Sequence, residues 1–223
     1  HKLQYRPIGP APKRILSFSD ASHGNGVERN QRGSMHLLTS SKNIAKAARD
    51  ETTFHGHLLF WASKRLTRVT CSTTTSELLG IVAAMDEAIA LNRLVKEIYP
   101  IGDIQIPLLL TDSKNVADLL LSSNPRNTLT EKRYLQYLHV IKEAIDYGEI
   151  EIRWVSAKYM LADCLTKKKR NDDLAQLYYN TGDFKLKIDA LKQWGLFFLR
   201  QGSIKRLCGV AKGLRQDQSY KRR

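Results

Sequence analysis

The chain has 223 residues and 42% hydrophobic content, enough to bury one substantial core, and its 36 Lys/Arg against 22 Asp/Glu give a formal net charge of +14. No apolar run approaches the roughly 18 residues that a bilayer span requires, and no charged-then-apolar leader opens the sequence, so a soluble, non-secreted protein without a membrane partner is expected. Cys71, Cys164 and Cys208 are odd in number and far apart, which argues against a disulfide framework or zinc knuckle and for a reducing intracellular compartment, with nucleus, cytoplasm and organelle all open.

The charge is unevenly placed. Residues 1–14 carry +4, residues 15–189 carry +2 and residues 190–223 carry +8. A nearly neutral folded part with basic ends is the layout of a domain whose arms meet phosphate backbones, although a solubilising tail would look the same. The chain opens on His1 in place of Met, as expected of a processed or partial chain.

Residues 1–14 contain Pro7, Pro10 and Pro12 and no apolar period, and read as a basic, proline-rich lead-in. Ile15, Leu16 and Phe18 then form a buried strand over 15–20 that opens into a Gly-rich loop and carries Asp20 at its tip. Ser34–Thr39 and His57–Ala62 are the next two strands, separated by a polar insertion with a helical turn near Ile44–Ala48. His55 and His57 have the spacing of two ligands on one strand face, but with no third ligand in view they read as loop histidines.

The clearest element is a helix over Thr75–Ile98, where Leu78, Ile81, Met85, Ala88, Leu91, Val95 and Ile98 recur every three or four residues. Glu77 lies in its first turn and shares a face with Gly80, Ile81 and Ala84, small enough to let that face lie close on a sheet. Thr74 and Glu77 also have capping-box spacing, and capping is the stronger reading of Glu77 taken alone.

Pro107–Thr111 is an apolar strand that runs into Asp112, itself a plausible N-cap for a helix over Ser113–Ser122. Thr130–Tyr147 is a second long helix, Glu149–Ser156 alternates as a strand, and Asp163 heads a last helix continuing through Asp173 to Tyr179. These elements make an α/β fold, a five-stranded mixed sheet flanked by helices, with basic terminal extensions. The expected divisions are 1–14, a domain over 15–187, and a basic extension over 188–223. In that extension Leu191, Trp194 and Phe198 form a docking stripe before an RNA-contacting arm with Lys205, Arg206, Lys212 and Arg215.

Each of Asp20, Glu77, Asp112 and Asp163 has an ordinary structural explanation; their conjunction is what suggests chemistry. All four stand at strand tips or helix starts, and in an open sheet such positions gather beyond the strand ends. Carboxylates brought together repel unless cations hold them, and hard oxygen ligands select magnesium or manganese. Two such ions suit phosphodiester hydrolysis.

The segments FSDASHG, STTTSE, LLTDSKN and LADCLTK, with FWASKR and GEIEIRWV between them, resemble the ribonuclease H domain of Ty1/copia-type retrotransposon polyproteins, in order from about Lys13 to Lys187. The resemblance implies a ribonuclease H-like fold with Asp20 on the central strand, Glu77 on the first helix, Asp112 after the fourth strand and Asp163 on the final helix. It further implies two Mg2+ (or Mn2+) ions on those acids and cleavage of the RNA strand of an RNA/DNA hybrid, read through hybrid shape and 2′-hydroxyls. Lys64, Arg65 and Arg68 are candidate phosphate contacts, and Ser113 and Asn115 candidate groove or backbone contacts. The loop Ala157–Ala162 lacks the histidine that some ribonucleases H place before the last acid.

Three readings stay open at this point. The first is an active hybrid nuclease. The second is a catalytically idle, retrotransposon-derived subunit that binds structured RNA in a ribonucleoprotein such as a ribosome, with residues 188–223 holding partners. The third is a nuclease of the same fold acting on DNA.

Overall fold

The computed structural model describes residues 5–10, 12–23, 30–50, 53–67, 70, 72–100, 102–121, 134–167 and 182–186. In chain order the elements are β1 (Lys13–Ser22), β2 (Gln31–Ser40), α1 (Ser41–Asp50), β3 (Thr53–His55), β4 (His57–Arg65), α2 (Thr73–Ile98), β5 (Leu108–Thr111), α3 (Lys114–Leu121), α4 (Leu135–Asp146), β6 (Glu151–Trp154), a 3-10 turn (Ala157–Tyr159), α5 (Asp163–Thr166) and β7 (Asp183–Lys185). The chain divides into two units, His1–Ile188 and Asp189–Arg223, and all of these elements belong to the first. Among the described residues no helix is long and apolar enough to cross a membrane.

β1 is central because its apolar residues run on both faces. It pairs antiparallel with β2 and parallel with β5, and the sheet order is β4-β2-β1-β5-β6 with β2–β4 antiparallel and β5–β6 parallel. Parallel neighbours need crossovers, which α2 and the α3–α4 segment supply. On one face Leu16, Phe18, Met35, Leu37, Leu108 and Leu110 pack under Tyr159, Met160, Leu161 and Ala162. Against α2, Leu109 and Ile152 meet Leu78, Ile81, Ala84, Met85 and Ala88, with Leu138 and Ile141 of α4 in the same cluster. This is the α/β architecture expected, a five-stranded mixed sheet flanked by helices.

Several elements differ from the sequence expectation. β1, β2 and β4 run longer, because ladder pairing carries polar residues such as Lys13, Arg14, Arg32 and Lys64 along with the apolar ones, whereas β5 and β6 are shorter than the expected 107–111 and 149–156. The insertion after β2 is a full helix, α1, and not a single turn. Ile98 is 77% exposed: by the end of α2 the apolar stripe has rotated off the sheet, and Val95 is the last side chain of the stripe to be buried. α5 is one turn that ends at Thr166, with Lys167 already extended (φ −110°, ψ 142°), so the helix that begins at Asp163 does not run on unbroken. Its expected continuation to Tyr179, and the start of the helix expected from Thr130, lie outside the described residues.

His55 and His57 are strand residues and not loop ones. β3 pairs with β7, a strand the sequence pattern did not show, and His55 Nδ1 lies 3.2 Å from Asp183 Oδ1 across that pair. His57 Nε2 lies 2.6 Å from the carbonyl oxygen of Arg6, so both rings clasp flanking segments onto the domain.

A buried polar cluster fixes α2 on the sheet. Glu87 of α2 accepts from Ser34 Oγ at 2.5 Å and from Arg32 Nη1 at 3.1 Å, and lies 3.2 Å from His36 Nε2; His36 Nδ1 in turn lies 2.8 Å from Ser17 Oγ. Burial alone would raise the Glu87 pKa, but hydrogen bonds from His36, Ser34 and Arg32 outweigh it and hold the value at about 2. A value depressed below the ordinary 4.5 means that this stabilisation is present above about pH 4.5 and lost as pH falls toward about 2. Thermal unfolding followed across that window should therefore show a steeper loss of Tm for the parent than for Glu87→Gln, which starts lower because it removes the charge from three donors. Parallel curves for the two proteins would refute the assignment.

Candidate active site

The register of the two central parallel strands sets the site. Ser19 pairs with Thr111, so the next residues, Asp20 and Asp112, stand side by side at the carboxyl ends of β1 and β5. Trp154 Nε1 donates to the Asp112 carbonyl oxygen at 3.0 Å, and the Ser113 N–H donates to Thr111 Oγ1 at 3.1 Å, which fixes the turn out of β5. α3 begins at Lys114, two residues beyond Asp112.

Glu77 enters from α2. The capping-box reading fails here: the helix starts at Thr73, its N-cap is Ser72, and the Ser72 side chain accepts from the Thr75 N–H at 3.2 Å. Glu77 is thus beyond the capping positions, and its Oε2 is buried without a hydrogen-bond partner. The helix comes this close because residue 80 is glycine; a Cβ there would lie 3.3 Å from Ser19 Oγ and 3.5 Å from the Ala21 Cβ. Behind Glu77, Asn30 Nδ2 donates to Ser76 Oγ at 2.9 Å and Thr70 Oγ1 lies 2.6 Å from the same oxygen, which pins the start of α2 to β2. Neither Asn30 nor Thr70 carried a sequence signal, since isolated polar residues in loops have none.

Asp20, Glu77 and Asp112 each offer a carboxylate oxygen within 4.8 Å of the others. Asp163 flanks this trio, its charge acting on both Asp20 and Asp112. It is carried by α5, which sits on β2 at Gly33, the register partner of Asp20. A Cβ at Gly33 would lie 2.8 Å from the Leu165 Cβ and 3.0 Å from the Ala162 carbonyl oxygen. Gln31 Nε2 and Ser63 Oγ also donate to the Leu165 carbonyl oxygen, at 3.0 and 2.7 Å, and Thr166 Oγ1 donates to Asp20 Oδ2.

The electrostatics follow from this crowding. Glu77 is pushed up to about 9, by burial first and then by the charges of Asp20 and Asp112. Asp112 rises to about 6 for the same reasons, burial and then Asp20 and Asp163. Asp20 is raised by burial, against the hydrogen bond from Thr166 and the charge of Lys167. Lys167 is raised: burial opposes its charge, but the hydrogen bond to Asp163 and the surrounding acids win. A three-carboxylate nook with one orphaned buried oxygen has the donor set of a hard divalent cation, and magnesium or manganese would fit Asp20, Glu77 and Asp112, with Asp163 beside them.

The remaining sequence candidates are dispersed. Lys64 and Arg65 are exposed at the end of edge strand β4, next to the Ser63 that holds α5. Asn115 is exposed on α3 and Ser113 half-buried before it. Arg68, Lys205, Arg206, Lys212 and Arg215 lie outside the described residues.

No protein-family model matches the chain, and no curated protein matches it. Solved structures similar to it include a ribonuclease H1 from the archaeon Halobacterium salinarum, at 16% identity over 72% of this chain and 98% of that one with a TM-score of 0.46. The N-terminal ribonuclease H domain of a Mycobacterium tuberculosis protein gives 16% identity over 69% and 90% with a TM-score of 0.46. LC11 ribonuclease H1 in complex with an RNA/DNA hybrid gives 12% over 72% and 99% with a TM-score of 0.46. The class of the domain is α/β, a five-stranded mixed sheet in the order β4-β2-β1-β5-β6 flanked by helices.

Two outcomes are expected. Because the pKa values of Glu77 and Asp112 are raised in the fold, their contribution to stability is full below their ordinary values of 4.5 and 3.8 and lost as pH rises through about 9 and about 6. In EDTA the Tm should fall as pH rises over that range, and Glu77→Gln should flatten the upper part of the fall; an unchanged slope counts against a shared acidic site. Separately, Gly33→Ala should cost about 1–3 kcal/mol in urea unfolding, because the added methyl forces α5 off β2.

Proposed function

We propose that the chain is a divalent-metal-dependent endonuclease that hydrolyses the RNA strand of RNA/DNA hybrids. The observation that carries this reading is the convergence of Asp20, Glu77 and Asp112 within 4.8 Å at the carboxyl end of the central parallel strands, with Asp163 alongside. The ordered resemblance of the four acid segments to Ty1/copia ribonuclease H domains supports the same reading. A retrotransposon origin is part of the proposal, as is an intracellular setting.

Asp20, Glu77, Asp112 and Asp163 would hold two magnesium or manganese ions. The chemistry such ions supply is polarisation of the scissile phosphodiester and activation of the attacking water. The residues themselves do the rest. Asp20 is held within a paired strand and Asp112 directly follows one, its carbonyl bonded by Trp154, so little reorganisation is needed when a phosphate arrives. Glu77, kept in a buried position where its ionised form is disfavoured, regains its charge when cations enter. Thr166 orients the Asp20 carboxylate through its hydroxyl. Lys64 and Arg65 on the exposed end of β4 would contact phosphates, and Ser113 and Asn115 after Asp112 would face the substrate backbone or groove. Lys205, Arg206, Lys212 and Arg215 would add phosphate contacts independent of sequence, as would Arg68.

The direct test is hydrolysis of a labelled RNA/DNA hybrid in magnesium by the purified chain, beside Asp20→Asn and beside duplex DNA. The parent should cut the RNA strand, EDTA and Asp20→Asn should each abolish cutting, and duplex DNA should stay intact. Cutting of duplex DNA would shift the substrate assignment to DNA, and salt-dependent RNA binding without any cleavage would replace the enzyme by an RNA-holding subunit.

A further inference from the structure

The acidic site contains a cation of its own. Lys167, the residue after α5, donates from Nζ to Asp163 Oδ1 at 2.6 Å. Its charge also acts on Asp20, Glu77 and Asp112, in each case favouring the ionised carboxylate. The residue before it, Thr166, donates its hydroxyl to Asp20. One turn of helix and its extended cap therefore deliver a hydroxyl and an ammonium to the acid cluster, one on each of two neighbouring carboxylates. The Lys167 side chain is 45% exposed while that of Asp163 is 16% exposed, so the ammonium sits at the mouth of the site on a stem that can swing toward solvent. Lysine suits this place: it is a compact charge on four flexible carbons, and a rigid bidentate partner would not release so readily.

We propose that Lys167 is the resident counter-cation of the four-acid cluster and competes with a divalent cation for it, so that Lys167 raises the cation concentration at which the site fills. The inference rests on the metal-dependent reading above. Its physical basis is competition: an ammonium held on Asp163 and a divalent ion held by the neighbouring acids repel one another, and at a few ångströms that repulsion remains appreciable even in a solvated cleft. Binding and release are then an exchange of cations in which the acids are never left without charge compensation. α5 itself packs on Gly33 and is held by Gln31 and Ser63, so the exchange needs movement of only the lysine side chain.

The test is calorimetric titration of the full-length chain with Mn2+ at pH 8, for the parent, Lys167→Gln, Lys167→Arg and Asp20→Asn, with thermal unfolding of each in EDTA and in saturating Mn2+. Lys167→Gln should bind Mn2+ about fivefold more tightly than the parent, the scale expected for losing one half-exposed ion pair. Lys167→Arg, which keeps the charge, should not bind more tightly than the parent. In EDTA Lys167→Gln should unfold at lower temperature than the parent, and saturating Mn2+ should close that gap. Equal or weaker Mn2+ binding by Lys167→Gln, with Asp20→Asn still losing the ion, overturns the counter-cation role and leaves the metal site standing. Absence of Mn2+ binding by the parent overturns the metal-dependent reading and this proposal together.

Discussion

Like charges held in a half-buried space are the constraint on which the rest of this domain turns. Three carboxylates within 4.8 Å of one another cannot all ionise without compensation, and Asp20, Glu77 and Asp112 are all raised, by burial first and then by the charges of neighbouring acids. Left to themselves the side chains would swing apart into water. They stay together because each is mounted on an element whose position is fixed by packing far from the acids: Asp20 on β1, Asp112 directly after the adjacent β5, Glu77 on a 26-residue helix pressed into the sheet, Asp163 on a turn seated over a glycine.

The scaffold around the acids is specialised for close approach. Gly80 lets α2 lie on β1 beside Ser19 and Ala21, and Gly33 lets α5 lie on β2 beside Asp20's own pairing position. Polar clusters then fix rotation and register where apolar packing would allow slippage. Asn30, Thr70 and Ser76 hold the first turn of α2, and Glu87 with Arg32, Ser34 and His36 holds its middle. Such buried networks are costly unless fully satisfied, and satisfied they specify one arrangement. Glu87 and Glu77 illustrate how environment sets the behaviour of one residue type on one helix. Surrounded by donors, Glu87 is held at about 2; buried and beside other acids, Glu77 is pushed to about 9.

Compensation comes in part from within. Thr166 and Lys167 supply a hydroxyl and a positive charge to the same cluster from the end of a one-turn helix. That helix ends after one turn, and Lys167, four residues after Asp163, meets it at the spacing that brings side chains together on a helix.

The sequence by itself determined the elements and the chemistry of their ends. Alternation and apolar runs marked β1, β2, β4, β5 and β6, the three-and-four spacing marked α2, and four acids stood at strand tips and helix starts, because these signals depend only on neighbours within a turn or a few strand residues. Tertiary structure alone decided what those ends do together. The pairing of Ser19 with Thr111 joins positions 92 residues apart, Thr166 reaches Asp20 across 146, and β3 finds β7 near the far end of the domain. No local pattern encodes such pairings; they are chosen by which apolar faces bury each other, and Gly33, Asn30 and Lys167 acquire their roles only once that choice is made.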